Sequence, residues 1–388
     1  MKNTSIFRPL HFYSGMIGAL CLIGIGAGSS LWAPSIRANG MSGPVACEGT
    51  AKKMFMACRA EKRDDLFTAL ANCQNIADAD ARRICRQNAK ATRLEELALC
   101  GDQKEAREDL CGQVGEGPYD PDPLLDPTIQ FVSPDSITAG TANQWFSLVP
   151  GTTMVSRVGL QGEEIDVVFV TDMIREISGQ QCRIVADVAV EEEEENGEFE
   201  YIASEATDDS YAQDVNGDVY YCGEISRGFE DGILRELEGS FESGVDSAKG
   251  GLLIRNMPAA PGDIDRQEFA LGDAEDVVEY LSLNATPSEN LGGENPNDGF
   301  QCNGQCLGTH EFAPLEPDIG GFKFYLPGIG LVLAVDVTDE GEIADKEVTC
   351  AVGSSLDALN NDACNIGDPE ALLEELCKLS PDAFCTDD

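Results

Sequence analysis

Histidine is nearly missing from this sequence. Its 388 residues contain two, and only His310 lies beyond the first 38. A catalytic zinc of the usual kind needs more ligands than one histidine can supply. His310 alternates with Phe312 on a predicted strand, which is the setting of a half-buried histidine satisfied by its neighbours. Tryptophan is equally scarce. Trp145 is the only one after residue 38, so a broad sugar-stacking platform is not expected. No G-x-S-x-G nucleophile elbow occurs. Basic residues are few, 26 against 70 acidic ones, for a formal charge of −44. Such a chain repels nucleic acid and anionic membrane surfaces, and it attracts cations or basic partners, or simply stays soluble in a salty medium. Glycosidase chemistry needs only two carboxylates, but 70 acidic residues nominate no pair.

The first 38 residues lack acidic residues altogether. Lys2, Arg8 and Arg37 flank an uncharged run, Tyr13 to Ser35, centred on "GMIGALCLIGIGAG". This is the pattern of a signal peptide over residues 1–38, cleaved after Ser29 or Ala38. An uncleaved N-terminal membrane anchor is the alternative. "GIGAG" has no flanking strand and helix, so it is not read as a dinucleotide loop. Leu20 precedes Cys21, which argues against a lipoprotein anchor. Without Cys21, 14 of the 15 cysteines remain. An even number behind a signal peptide implies disulfides and a secreted, extracellular or periplasmic location. The mature chain would carry a formal charge of about −47.

From Cys47 to Cys111 there is no proline, and Ala, Leu, Lys, Arg, Glu and Gln dominate, a helix-forming composition. The cysteines fall at Cys47, Cys58, Cys73, Cys85, Cys100 and Cys111, so their spacings of 11, 15, 12, 15 and 11 read the same in both directions. An antiparallel helical hairpin over 47–114 explains the palindrome. Its turn lies in "NIADADA" (Asn75 to Ala81), where Asn and Asp supply cap chemistry. The predicted bridges are Cys47–Cys111, Cys58–Cys100 and Cys73–Cys85. Gly101 is a candidate break in the second helix. The hairpin reads as a rigid arm, or as a helical face for a protein or cell-envelope partner. No histidine accompanies these cysteines, and zinc-knuckle spacing is absent.

"GEGPYDPDPLLDP" within residues 115–128 reads as an extended, solvated linker, with Asp120, Asp122 and Asp126 as weak calcium ligands at most. From residue 129 to 352, β-branched and aromatic residues alternate with polar ones, and turn signals recur, predicting an antiparallel meander that forms a curved sheet, a barrel or a sandwich. "YAQDVNGDVYYCGE" spaces Asp214, Asn216 and Asp218 like the start of a calcium loop. Counted from Asp214, however, Val219 and Ile225 occupy the positions where an EF-hand needs Gly and Glu. Asn216-Gly217 instead predicts a type I′ hairpin turn, with weak calcium binding at Asp214, Asn216 and Asp218 the sharper alternative. "VEEEEENGEFEY" repeats the device, with Glu191 to Glu195 on an edge ribbon. Cys182 and Cys222 fall in two predicted strands and are read as a bridge between neighbours. The pairing of Cys302, Cys306, Cys350, Cys364, Cys377 and Cys385 is left open. Residues 353–388 form a disulfide-rich tail with a short helix capped by Asp368 and started by Pro369. Asn284-Ala285-Thr286 is a glycosylation sequon, relevant in a eukaryotic host.

The segments "LVPGTT", "YAQDVNGDVYYCGE", "GSFESGVDSAKGGLL", "DRQEFALGDAEDV", "PLEPD" and "KFYLPGIGLVLAV" together cover about 200 residues. In that combination the β-rich domain resembles a group of secreted bacterial proteins without an established activity. In that group an aromatic follows the first motif, where this chain has Met154 and Ser156. A glutamate sits just before the lysine of the last motif, where this chain has Gly321 and Phe322. The resemblance implies the fold and secretion, and no reaction. The fold class expected is therefore α+β, a disulfide-stapled helical hairpin followed by an antiparallel β domain. The function expected is that of a non-enzymatic binding or structural protein without a cofactor, with a secreted carboxylate-dependent hydrolase as the alternative.

Overall fold

The computed structural model describes residues 45–257, 260–287, 300–317, 319–338 and 343–385. The expected signal segment 1–38 and Asp318 of "PLEPD" lie outside the described residues. The chain divides into two units at Tyr119 and Asp120.

The first unit is a hairpin of α1 (Ala46–Gln74) and α2 (Ala79–Val114). Asp78 caps α2 by accepting a hydrogen bond from the Ala81 N–H at 2.7 Å, satisfying a donor that the helix start leaves open. The bridges are Cys47–Cys111, Cys58–Cys100 and Cys73–Cys85. Few side chains other than these cysteines are buried here, so covalent staples substitute for a core that two helices cannot build. Gly101 does not end α2. The helix runs on to Val114 and stops at Gly115, whose φ of +91° suits glycine. A mid-helix glycine costs only about 1 kcal/mol, and the bridges at Cys100 and Cys111 hold the helix on both sides of Gly101.

The second unit is built on 15 antiparallel strands. In chain order they are β1 (Thr153–Val158), β2 (Glu164–Ile177), β3 (Gln180–Glu195), β4 (Glu198–Gln213), β5 (Val219–Glu230), β6 (Ile233–Glu236), β7 (Phe241–Glu242) and β8 (Lys249–Ile254), then β9 (Ile264–Arg266), β10 (Glu268–Phe269), β11 (Val277–Ala285), β12 (Cys306–Phe312), β13 (Gly320–Leu326), β14 (Gly330–Val337) and β15 (Ile343–Gly353). Two meanders, β1 to β8 and β11 to β15, meet where β1 pairs with β15. At the other side β9 pairs with β11 while β10 pairs with β8. Those two terminal strands are consecutive in sequence, separated by Gln267 alone. The sheet therefore curls into a nearly closed barrel whose seam is one bent segment, 264–269. Gly251 permits this approach: a Cβ there would lie 2.3 Å from the Arg266 carbonyl oxygen. Arg255 braces the same edge with two 2.7 Å hydrogen bonds to Asp265.

The strand pattern alternates, but both faces are covered. Outside the barrel, Ile165, Val167, Val188 and Ala206 pack under the C-terminal tail. The tail carries α3 (Pro369–Leu379) and α4 (Pro381–Phe384). Asp368 caps α3 by accepting from the Glu370 and Ala371 N–H groups. A second outer cluster contains Phe324, Val332 and Val335 with Cys302 and Cys306. In the third, Leu124 packs against Ile177, Ala212 and Tyr220. Residues 120–126 are thus not a solvated linker. Leu124 is 0 % exposed. Asp122 accepts from the Leu124 N–H and the Ser243 hydroxyl, and Asp126 accepts from Thr128. Burial of Leu124 outweighs the aspartates' preference for water once a sheet surface is available, while Leu125 stays exposed.

Two local expectations are corrected. Cys182 and Cys222 join β3 to β5, which lie on either side of β4 rather than side by side. The last β3–β4 pair is Arg183 with Tyr211, so the bridge forms just past the point where β3 and β4 part. The ribbon at Glu191–Glu195 is not at a sheet edge. It is the projecting end of two central strands, with Glu193 to Glu195 paired to residues 198–200. The remaining bridges are Cys302–Cys306, Cys350–Cys364 and Cys377–Cys385.

Candidate binding site inside the barrel

Strand alternation decides what the barrel encloses. Along β4 the inward positions are Glu205, Thr207, Asp209 and Tyr211, and along β2 they are Asp166, Val168 and Val170. The interior therefore has an apolar end and an acidic end. At the apolar end Trp145 and Phe146 join Val170, Val185, Tyr211, Tyr221 and Tyr325. The Tyr211 and Tyr221 rings stack with centroids 4.6 Å apart, and Phe146 meets Tyr211 edge-on at 5.0 Å. A cavity of about 150 Å³ reaches both ends. Seven carboxylates line it, those of Asp166, Asp187, Glu205, Asp209, Glu224, Glu311 and Glu347, against one basic side chain, Lys323.

Hydrogen bonds organise these carboxylates. The Tyr221 hydroxyl contacts both Asp209 and Glu224, the latter at 2.8 Å. Tyr325 donates to Glu311 at 3.0 Å, and the Lys323 ammonium stands 2.8 Å from Glu311. Burial pushes the Asp209 carboxyl up to about 8, and the nearby charge of Asp187 adds to it. Burial, then Asp209, drives Glu224 well above the carboxylate range. Asp166 is raised in the same way by burial and by Asp187. Glu268 and Asp276 form a hydrogen-bonded carboxyl pair behind the seam. Burial and Asp276 raise Glu268, and burial lifts Asp276 to about 7. Burial alone would lower the Lys323 ammonium, but Glu311, Glu347 and Asp276 together outweigh it and hold Lys323 above its usual value. The interior is therefore a place where protons are retained near neutral pH.

At the cavity wall, Gln267 Oε1 and Trp145 Nε1 have no hydrogen-bond partner among the described residues. Gln267 is 2 % exposed and Trp145 is 5 % exposed. The other amide atom of Gln267 donates to the Leu253 carbonyl at 3.1 Å, which leaves Oε1 as the available acceptor. Buried polar atoms are seldom left unmatched.

The residues singled out in the sequence lie elsewhere. Asp214 accepts from the Asn216 N–H and the Asp218 N–H through one oxygen, and from the Asn216 amide through the other. Asp218 accepts from the Asn256 N–H. These bonds pull the turn onto Asp214–Gly217, closed by Gly217 N–H to the Asp214 carbonyl. Only Gly217 of the expected Asn216-Gly217 pair has positive φ, at +88°, so the turn is not type I′. Asn196-Gly197, with φ of +59° and +85°, is the pair with that geometry. His310 is half-buried between Phe312 and Phe322, and burial lowers its pKa. Among the described residues, no three His, Cys, Asp or Glu side chains are grouped to hold a metal ion. The luminal carboxylates were invisible to a motif search. A weaker signal was present: the segments that carry the family resemblance contribute Thr152, Tyr211, Tyr221, Glu224, Gln267, Lys323, Tyr325 and Leu331 to this one cavity.

No family profile and no curated protein matches the chain. Two solved structures are similar to it in part. One is a protein of Bacteroides fragilis described as exported and as having a YmcC-like fold, with 12% identity and a TM-score of 0.29 over 55% of this chain and 100% of that one. The other, described as a lipoprotein of Parabacteroides distasonis, shows 9% identity and a TM-score of 0.28 over 55% of this chain and 99% of that one.

Proposed function

We propose that the protein is a non-enzymatic binding protein that holds a small, partly polar molecule inside its barrel. The observation that carries this reading is the cavity with a buried acceptor, Gln267 Oε1, and a buried donor, Trp145 Nε1, both lacking a protein partner among the described residues. A ligand or ordered water must satisfy them. The cavity lies below the ~300–1,000 Å³ of ordinary ligand pockets. Its size favours a small molecule and disfavours the polymer that a secreted carboxylate-dependent hydrolase would cut. Seven disulfides support folding in an oxidising compartment, extracellular or periplasmic.

Native mass spectrometry against a library of small polar fragments tests the reading, with Leu253→Trp as the control. Leu253 lines the cavity, and the larger ring fills it at a cost of about 1–3 kcal/mol. Fragments should bind the parent protein and not the filled variant. Equal binding to both would place the ligand elsewhere.

A further inference from the structure

We propose that the ligand is a small primary amine, taken up as its ammonium ion in exchange for a carboxyl proton of the Asp209–Glu224 pair. This inference rests on the barrel interior being a ligand site, and it specifies the chemistry of that site.

Charge is the first argument. Lys323 is the one basic side chain at the cavity wall among the described residues, and it is paired with Glu311. The groups that face Asp209 and Glu224 are acids and phenols from every neighbouring element. They are Asp187 on β3, Glu205 and Tyr211 on β4, Tyr221 on β5, and Glu268 and Asp276 at the seam. Several carboxylates cannot all ionise in so small a buried volume, so some hold protons until a cation replaces them. The exchange balances. An ammonium enters, one carboxyl O–H releases its proton to solvent, and the new carboxylate accepts an ammonium N–H. The net charge of the interior is unchanged.

Gln267 supplies the second, independent argument. Gln267 lines the cavity at the seam and is 2 % exposed, and its Oε1 is an acceptor without a partner among the described residues. An ammonium has three donors, one more than a carboxylate pair needs. The stacked Tyr211 and Tyr221 rings form an aromatic wall for a short stem and favour a cation nearby. A cavity of about 150 Å³ suits a stem of benzene size or less.

Calorimetric titration of the full chain with n-butylamine and with 1-butanol, at pH 6, 7 and 8 in two buffers of different ionisation enthalpy, decides the matter. The amine should bind at least tenfold more tightly than the alcohol at pH 7. It should release about one proton and tighten by up to tenfold per pH unit. Asp209→Asn should weaken the pH dependence and the proton release, and Gln267→Leu should weaken binding about tenfold while leaving proton release intact. Equal affinity for amine and alcohol, or amine binding without proton release, overturns the inference and leaves the binding reading standing. Binding of neither probe overturns both.

Discussion

The acidic interior predicts an unusual response to pH, and Asp209 shows its size. In the unfolded chain its carboxyl titrates at the ordinary value of 3.8, and in the folded barrel burial raises it to about 8. Between these values the folded protein binds the proton and the unfolded chain does not. Stability from this group is therefore complete below about pH 4 and is lost as pH rises through 8. Glu224, Glu268 and Asp166 are raised too, and they shift stability in the same direction. They compete for the same protons, so we count one net proton near neutrality. One proton is worth ~1.4 kcal/mol per pH unit, or ~3 kcal/mol between pH 8 and 6, and a domain of this size should gain roughly 5–11 °C in Tm. Surface carboxylates give a similar trend through repulsion. The assay is therefore run in 0.5 M NaCl, which screens exposed charges far more than buried ones. Thermal unfolding of the parent protein and of Asp209→Asn should diverge, with a smaller gain in Tm from pH 8 to pH 6 in the variant, where Glu224, Glu268 and Asp276 still bind protons. A parent Tm that rises with pH, or an equal slope in both proteins, would refute the reasoning.

Four further outcomes are expected. Gly251→Ala drives a Cβ to 2.3 Å from backbone atoms of the seam, so it should cost ~3 kcal/mol and raise amide exchange in β8 and β9. Gly101→Ala, with nothing within 4 Å of its Cβ, should stabilise α2 by ~1 kcal/mol, as measured by helix melting followed by circular dichroism. At the Asp214 turn, Asp214→Ala removes the acceptor of three hydrogen bonds and should cost ~2–3 kcal/mol in chemical denaturation. Calcium should bind there weakly, and a sub-micromolar calorimetric isotherm abolished by Asp214→Asn would count against that assignment.

The hairpin was legible because covalent geometry is local. Cysteines equidistant from a turn must face each other in antiparallel helices, and composition alone located the helices. The meander was legible from alternation and turn residues. Closure was not, because "DRQEFALG" reads as one strand, and nothing in its own pattern says that Asp265 and Glu268 belong to opposite ends of a sheet. The site was hidden for a related reason. A polar alternation such as Glu205, Thr207 and Asp209 is what a solvent-facing stripe looks like, and only the curvature of the whole sheet turns it inward. The tail and residues 120–126 cover the outer apolar stripe and complete that inversion. Asp214 and Asp218 attracted attention by their spacing, yet their oxygens serve the backbone of their own turn.

The seam at Gln267 also bears on how the chain matures. One side of the barrel joins through a six-residue bend. The other joins β1 to β15, segments nearly 200 residues apart in the chain. Ring closure on that second side must await the last strand, since long loops close only against their full entropy cost. A chain still emerging, or one cut before residue 343, would carry two naked strand edges, β1 and β14, on an otherwise formed sheet. Such a chain should be prone to domain swapping and precipitation. The C-terminal forty-odd residues, which include β15 and the Cys350–Cys364 bridge behind it, act as the clasp that makes the barrel self-contained.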